Sequence, residues 1–477
     1  MSRGEELAKN TTILAAGKIC TQFISFFLLP VYTTVLSTEE YGLVDLYTTY
    51  VSLAVAVLSL QLDSGIFRFL IEYRKDEKSK VKFISSITVC TLLQLAVCVC
   101  FYMLVQHWIT LPHKIYFLFN VLVVIVSNLF LQVARGLGNN ITYSLGSLIS
   151  AASTIGFNIV FLLSLHMKSD GMMLATCLGN LCSSIFMMFQ LRYWRYLNFK
   201  SLSFDMVKEA ISYSLPLVPN NLSWWVLNVS DRTIVSIFMG VGANGLIAIA
   251  HKFSTVITTF YGIFNLAWTE MASVHVKDQD SQEYFQGMVK DIFVLSSSVC
   301  MGVIAFMPFV FHWLVNGDYD KAFYQIPIYM LAALVNILGS LYGTIYIAHK
   351  KTSEIAKTSF YAAILNILIN ASLIQIIGLY AVSLSTLIAY LVMFVIRYYD
   401  SRKYMCVKLS MKYTLPQISM YALVLVIYYL RIPILNFLML GSVILFSVFS
   451  NWHIIKILLG IMMMKLEKKV VSKEKES

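Results

Sequence analysis

Seven ionisable side chains lie inside long apolar runs of this 477-residue chain: Lys18, Asp45, Asp63, Arg68, Asp231, Arg232 and Lys252. Each costs roughly 2.5–3.5 kcal/mol to place at the centre of a hydrocarbon layer, so they mark a polar cavity or an ion path. Buried cations of this kind hold anionic groups of a ligand. Buried carboxylates are suited to carrying a proton or a small cation, because a carboxylate taken out of water favours its neutral form. Arg68 stands near the end of its run, where a long side chain also snorkels to the interface. Asp231, next to Arg232, reads as the structural counter-charge of that arginine.

The neighbours of these groups recur at helical spacing. Asp45, Thr48, Thr49, Ser52, Ala56, Ser59 and Asp63 form one small, polar stripe. Lys18, Gln22, Ser25 and Tyr32 form a second, Asn221, Trp225, Asn228 and Arg232 a third, and Lys252, Thr255, Thr259 and Gly262 a fourth. Helix packing also selects Ser, Thr and Gly, but it does not call for four cations and three carboxylates. The stripes therefore point to a water-filled cavity.

Other chemistry finds no support. The eight histidines are scattered, with no H-E-x-x-H spacing, and Asp278-Gln279-Asp280 falls in a polar turn. No metal, cofactor or catalytic group is expected, and the chain does not read as an enzyme. The cysteines lie in apolar runs or, for Cys406, in a basic loop, so no disulfide framework is expected. Gly240-Val241-Gly242-Ala243-Asn244-Gly245 matches a dinucleotide fingerprint, but that motif needs a strand before it and a helix after it in a soluble unit. Between two apolar segments it predicts a tight interhelical turn.

The elements that position these residues follow from composition. Hydrophobic residues make up 58% of the chain and charged ones 13%, with a mean hydropathy of +0.73, where a soluble domain carries about 25% charged residues. The solvent must be lipid. Spans of about 20 apolar residues fall near 12–36, 41–70, 83–106, 115–134, 141–165, 171–191, 209–239, 243–268, 291–315, 324–348, 355–377, 379–399, 413–430 and 434–460. The fold class is all-α integral membrane, with about 14 transmembrane helices. Pro216 and Pro219 leave the seventh segment open to a reading as a loop plus a shorter helix, which gives 12 or 13 spans. With the N-terminus inside, alternate loops and termini hold 27 of the 36 Lys and Arg residues, and the outside loops hold four. That asymmetry places both termini in the cytoplasm. The net charge of +11 is then a topology signal and not a nucleic-acid footprint.

A short repeat organises the spans. Tyr41-Gly42-Leu43-Val44 opens the second and Asn244-Gly245-Leu246-Ile247 the eighth, with the two glycines 203 residues apart. Both segments enter from outside, so the halves have parallel orientation. The expected organisation is an N-terminal six-helix bundle (1–191), a basic linker (192–208) and a second six-helix bundle (209–399), the two bundles facing a central cavity. Two further helices and a basic tail (400–477) complete the chain.

The stretch 10–70, with Gly17-Lys18, Phe26-Phe27-Leu28-Leu29-Pro30, Glu39-Glu40-Tyr41-Gly42 and Leu62-Asp63-Ser64-Gly65, resembles the start of bacterial polysaccharide-unit flippases. These belong to the multidrug/oligosaccharidyl-lipid/polysaccharide exporter superfamily, and the resemblance continues over 245–268 and the span layout. It implies a two-lobed protein of the bacterial cytoplasmic membrane that moves an undecaprenyl-pyrophosphate-linked oligosaccharide to the outer leaflet by alternating access. The implied partners are that lipid-linked oligosaccharide, membrane lipid, a proton or sodium ion, and other polysaccharide-assembly proteins. The related lipid II flippases place essential arginines in spans 1, 2 and 8, and Lys18, Arg68 and Lys252 occupy comparable regions here. Lysine lacks the bidentate fork of arginine. The candidate substrate-binding set is Lys18, Arg68, Trp225, Asn228, Arg232 and Lys252, and the candidate ion-coupling residues are Asp45 and Asp63. Arg232 and Lys252, roughly 10 and 14 Å from the outer helix ends, are expected to meet one phosphate group.

Two other readings stay open. A cation/drug antiporter of the same superfamily would favour a cavity dominated by carboxylates and aromatic rings, whereas the span charges here nearly balance. A membrane glycan polymerase would carry a large outside loop with catalytic groups, and no outside loop exceeds about ten residues.

Overall fold

The computed structural model describes residues 26–107 and 114–456. These are almost entirely helical: α1 Leu29–Val35, α2 Thr38–Leu58, α3 Leu62–Tyr73, α4 Glu77–Val105, α5 Lys114–Gly136, α6 Asn140–Ile159, α7 Lys168–Gln190, α8 Phe204–Ser214, α9 Leu217–Met239, α10 Val241–His275, α11 Ser281–Leu314, α12 Ile326–Ala348, α13 Thr352–Ile377, α14 Leu379–Asp400, α15 Met411–Leu430 and α16 Pro433–Ser450. Among the described residues, twelve helices are long and apolar enough to cross a membrane. The chain is a multi-pass membrane protein.

The expected first span, 12–36, falls mostly outside the described residues. The seventh resolves into α8 and α9, split at Leu215 and Pro216. Proline fits the first turn of a helix, where no N–H partner is needed, and it ends the helix before it. The 23-residue α9 is not among the twelve apolar helices, since Asn221, Ser230, Asp231, Arg232 and Thr233 dilute it. The second span, expected as one helix over 41–70, is broken: Leu60 and Gln61 both take left-handed conformations, with φ +52° and +53°.

The chain divides into two compact units. The first comprises Met1–Ile249 with Val315–Tyr319, the second Ala250–Leu314 with Asp320–Ser477. In the first, α7 packs on α5 and α6, α3 on α5 and α8, and α9 on α2. A capping box fixes the start of α2: Ser37 Oγ accepts from Glu40 N at 3.2 Å, and Glu40 Oε2 accepts from Ser37 N at 2.9 Å. The fully buried Tyr319 donates from its hydroxyl to the carbonyls of Ser37 at 2.8 Å and Leu36 at 3.1 Å, which ties Val315–Tyr319 into this unit. One face of α4 presents Leu93, Val97, Phe101 and Leu104 fully outward, the inversion that lipid in place of water produces.

The second unit is built around α12, buried along nearly its whole length and packed against α11 and α14. Helix α13 lies on α14, and α15 and α16 lie on α11.

The short repeat has a direct structural counterpart within the first unit. A Cβ added to Gly42 would fall on the Val241 carbonyl and lie 2.7 Å from Gly245 N. One added to Gly245 would fall on the Thr38 carbonyl and lie 3.1 Å from Gly42 N. The first turns of α2 and α10 therefore meet backbone to backbone, as small residues permit between helices in lipid. Gly240, at φ +88°, supplies the one-residue turn between α9 and α10 that the glycine-rich motif predicts.

Candidate functional site

The polar stripes of α2 and α9 face each other in antiparallel directions. Near the start of α2, Asp45 Oδ2 accepts from Arg232 Nε at 2.5 Å and from Asn244 Nδ2 at 3.2 Å. Asn244, fully buried, also donates to the Gly42 carbonyl at 3.0 Å. The close approach of Gly42 and Gly245 is what brings Asn244 within reach of Asp45. One turn further, Trp225 Nε1 donates to the Thr49 carbonyl at 3.2 Å, and the hydroxyls of Tyr50 and Thr233 lie 3.1 Å apart. At the far end the Asn221 amide donates to Gln61 Oε1. From Asp45 to Gln61 this seam runs about 24 Å at 1.5 Å per residue, most of a hydrocarbon core of about 30 Å.

The seam ends at the break between α2 and α3, where amides cover the backbone groups a broken helix leaves open. Gln94 of α4 donates to the Ser59 carbonyl at 3.2 Å and Gln61 to the Ala56 carbonyl at 3.3 Å. Leu62 N also reaches the Ser59 carbonyl, at 3.0 Å. Interrupted helices in membrane proteins recur where backbone lines a polar site, provided such partners are present. Asp63, in the first turn of α3, is partly buried, and its Oδ1 makes no hydrogen bond among the described residues.

Of the residues expected at the site, Asp45, Trp225 and Arg232 come together on the seam, with Asp63 just past its far end. Asp45, across from it on α2, sets its carboxylate against Arg232. Arg68 stands on the exposed side of α3, 3.5 Å from Glu72 one turn on, and does not join the seam. Lys252 is half-buried on α10, three residues after that helix passes into the second unit. Lys18 and the Asn228 side chain lie outside the described residues.

Three structural features escape sequence reading. Asn244 and Gln94 look like ordinary polar residues near helix ends. Arg397, which counts with the basic loop 397–412 in the topology, belongs instead to α14 and is 4% exposed. Its guanidinium donates to Thr358 Oγ1 and Ser359 Oγ at 2.9 Å and to the Gly339 carbonyl at 3.0 Å. Gly343, one turn from Gly339, leaves room for it, since a Cβ there would lie 3.0 Å from Nη1. The four-residue spacing of these glycines is the one sequence signal that could have revealed the pocket. Among the described residues no group of three His, Cys, Asp or Glu side chains could hold a metal ion.

Similarity to known proteins agrees with this architecture. Among solved structures, an inward-facing multidrug resistance MATE family transporter of the MOP superfamily matches with a TM-score of 0.68 at 12% identity, over 82% of this chain and 97% of that one. The lipid II flippase MurJ in an inward closed conformation matches with a TM-score of 0.67 at 14% identity, over 96% of this chain and all of that one. At these identities the likeness is one of fold. No curated protein sequence matches significantly. The family model described as polysaccharide biosynthesis protein matches residues 7–269, more than half of the chain. With its membrane-spanning helices and the fold shared by MOP-superfamily transporters, the chain belongs to the polysaccharide biosynthesis protein family.

Proposed function

We propose that this protein is a flippase that carries an undecaprenyl-pyrophosphate-linked oligosaccharide from the cytoplasmic to the outer leaflet of a bacterial cytoplasmic membrane, by alternating access. The family match over residues 7–269 carries this reading, since it ties a transporter fold to polysaccharide assembly. The lipid II flippase also accounts for more of the chain than the multidrug transporter, 96% against 82%.

The seam supplies a mechanism. In the empty carrier Asp45 occupies Arg232, so the guanidinium is never buried without a counter-charge. A substrate pyrophosphate competes for Arg232 through a bidentate, charge-assisted pair. Asp45, released by Arg232 and still held by Asn244, is then open to a coupling ion. Substrate binding and ion binding are coupled because each favours the other. Hydroxyls of the sugars are served by the polar groups of the seam, Tyr50, Thr233 and Asn221 among them, and by the face of Trp225. Asp63 is a second candidate for ion coupling.

A deletion strain decides the matter. Lipid-linked repeat units trapped on the cytoplasmic side, released by the wild-type gene and not by Arg232→Gln, are the expected result. Normal surface polysaccharide in the deletion strain, together with a gain of sensitivity to cationic drugs, would instead assign the chain to the antiporters.

A further inference from the structure

A cavity of about 470 Å³ opens between the N-terminal end of α11 and the segment that leads into α15, both in the second unit. It falls within the roughly 300–1,000 Å³ of small-molecule sites. It is remote in sequence from the α2–α9 seam, and the transport reading makes no use of it. Its walls are fixed: Gln282 Nε2 donates to the Cys406 carbonyl at 3.1 Å, and the buried Tyr342 donates to the Val407 carbonyl at 3.3 Å.

Along α11 the charges lining the cavity are ordered by depth. Asp280 and Glu283 stand at the outer, polar end of α11. Lys290 lies two turns further in, roughly 10 Å along the axis from Glu283. Its ammonium sits 4.5 Å from the centre of the Tyr413 ring and 3.6 Å from Asp291. Lys408 lines the opposite wall with the hydroxyls of Ser410 and Thr414. Carboxylates at the polar end of α11 and, two turns further in, a lysine against a tyrosine ring are the reverse image of one kind of headgroup. Beyond the cavity, α15 continues outward with exposed Leu415 and Ile418, an apolar surface for acyl chains.

We propose that this cavity binds the zwitterionic headgroup of an aminophospholipid, its phosphate on Lys290 and Lys408 and its ammonium on Glu283 and Asp280. In such a lipid the phosphate lies nearer the glycerol and the amine nearer water, matching the order of the side chains. A primary ammonium donates three hydrogen bonds to carboxylates and a choline group none, so phosphatidylethanolamine is preferred to phosphatidylcholine. An anionic lipid without the amine meets Glu283 and Asp280 as like charges, which disfavours phosphatidylglycerol.

Gly287 provides a clean test. It lines the cavity, and a Cβ there meets nothing within 4 Å, so Gly287→Leu fills the space without a clash and replaces glycine by a good helix former. The full-length protein is placed in nanodiscs of equal parts phosphatidylethanolamine, phosphatidylglycerol and phosphatidylcholine. Lipids retained after detergent extraction are then counted by native mass spectrometry. Wild type is expected to retain phosphatidylethanolamine about fivefold over either competitor, the scale of exposed ion pairs. Lys290→Gln with Lys408→Gln and, independently, Gly287→Leu should each abolish that preference. Glu283→Gln with Asp280→Asn should turn it toward phosphatidylglycerol. Equal retention of the three lipids by wild type, a preference that survives Gly287→Leu, or displacement by millimolar inorganic phosphate alone would overturn the proposal.

Discussion

Gly42 and Gly245 stand against each other so closely that neither position has room for a Cβ, and each is crowded by the residue four places before the other, Val241 or Thr38. The two contacts are reciprocal at a constant separation of 203 residues. That is the local signature of a pseudo-two-fold relation between the entries of α2 and α10. The same approach sets Asn244 onto Asp45, so the repeat and the polar seam are one construction.

Gly42→Ala and Gly245→Ala each force backbone apart and are expected to cost about 1–3 kcal/mol, the range of overpacking in a filled interior. The pair changed together should cost less than the sum, because both relieve the same contact. Thermal unfolding of the purified protein in detergent measures this. Gly441→Ala is the control, since a Cβ there meets nothing within 4 Å.

Asp45→Asn removes a carboxylate that Arg232 engages in a mostly buried setting and is expected to lower stability by up to about 3–5 kcal/mol. Asp45→Asn with Arg232→Gln should recover much of that loss while still failing to export polysaccharide. A double-mutant cycle on melting temperature with surface polysaccharide as second readout separates the outcomes. Additive losses for Asp45 and Arg232 would remove the seam from the mechanism.

Leu60 and Gln61 hold left-handed backbone, which costs a non-glycine residue roughly 1–2 kcal/mol. Leu60→Gly is therefore expected to be tolerated within about 1 kcal/mol. Leu60→Val, β-branched and worst suited to positive φ, should destabilise by more. If unfolding ranks valine above glycine at this position, the break is not the rigid feature described here.

Arg397 engages four oxygen atoms of α12 and α13 with a planar fork. Lysine cannot reproduce that geometry. Arg397→Lys is expected to lose most of what Arg397→Met loses, on the order of 2 kcal/mol or more, through acceptors left unpaired. Detergent melting of the two variants side by side checks it.

Asp63→Asn separates two roles. A proton carrier at this position predicts loss of net transport with substrate binding retained, and a flatter dependence of transport on pH. A structural partner of Lys18 predicts rescue by adding Lys18→Gln. Transport into vesicles at several pH values, run on both variants, distinguishes them.

Hydropathy alone establishes a polytopic helical protein, because a run of apolar residues long enough to cross lipid has no stable alternative once every backbone group must be bonded within its own helix. It likewise marks which residues are costly in lipid, and Asp45, Trp225 and Arg232 are found together for that reason. Sequence could not say how they would be satisfied. A stripe of polar groups on one helix reads the same whether it faces water or a second polar helix. Only packing decides that Asp45 answers Arg232 across a gap closed by two glycines. The break at Leu60 and Gln61 and the burial of Arg397 were hidden for a related reason. Each depends on partners distant in sequence, Gln94 and Asn221 for the first, Gly339, Thr358 and Ser359 for the second. Only a folded chain brings those donors and acceptors within 3 Å or so of the groups that would otherwise be unpaid in lipid.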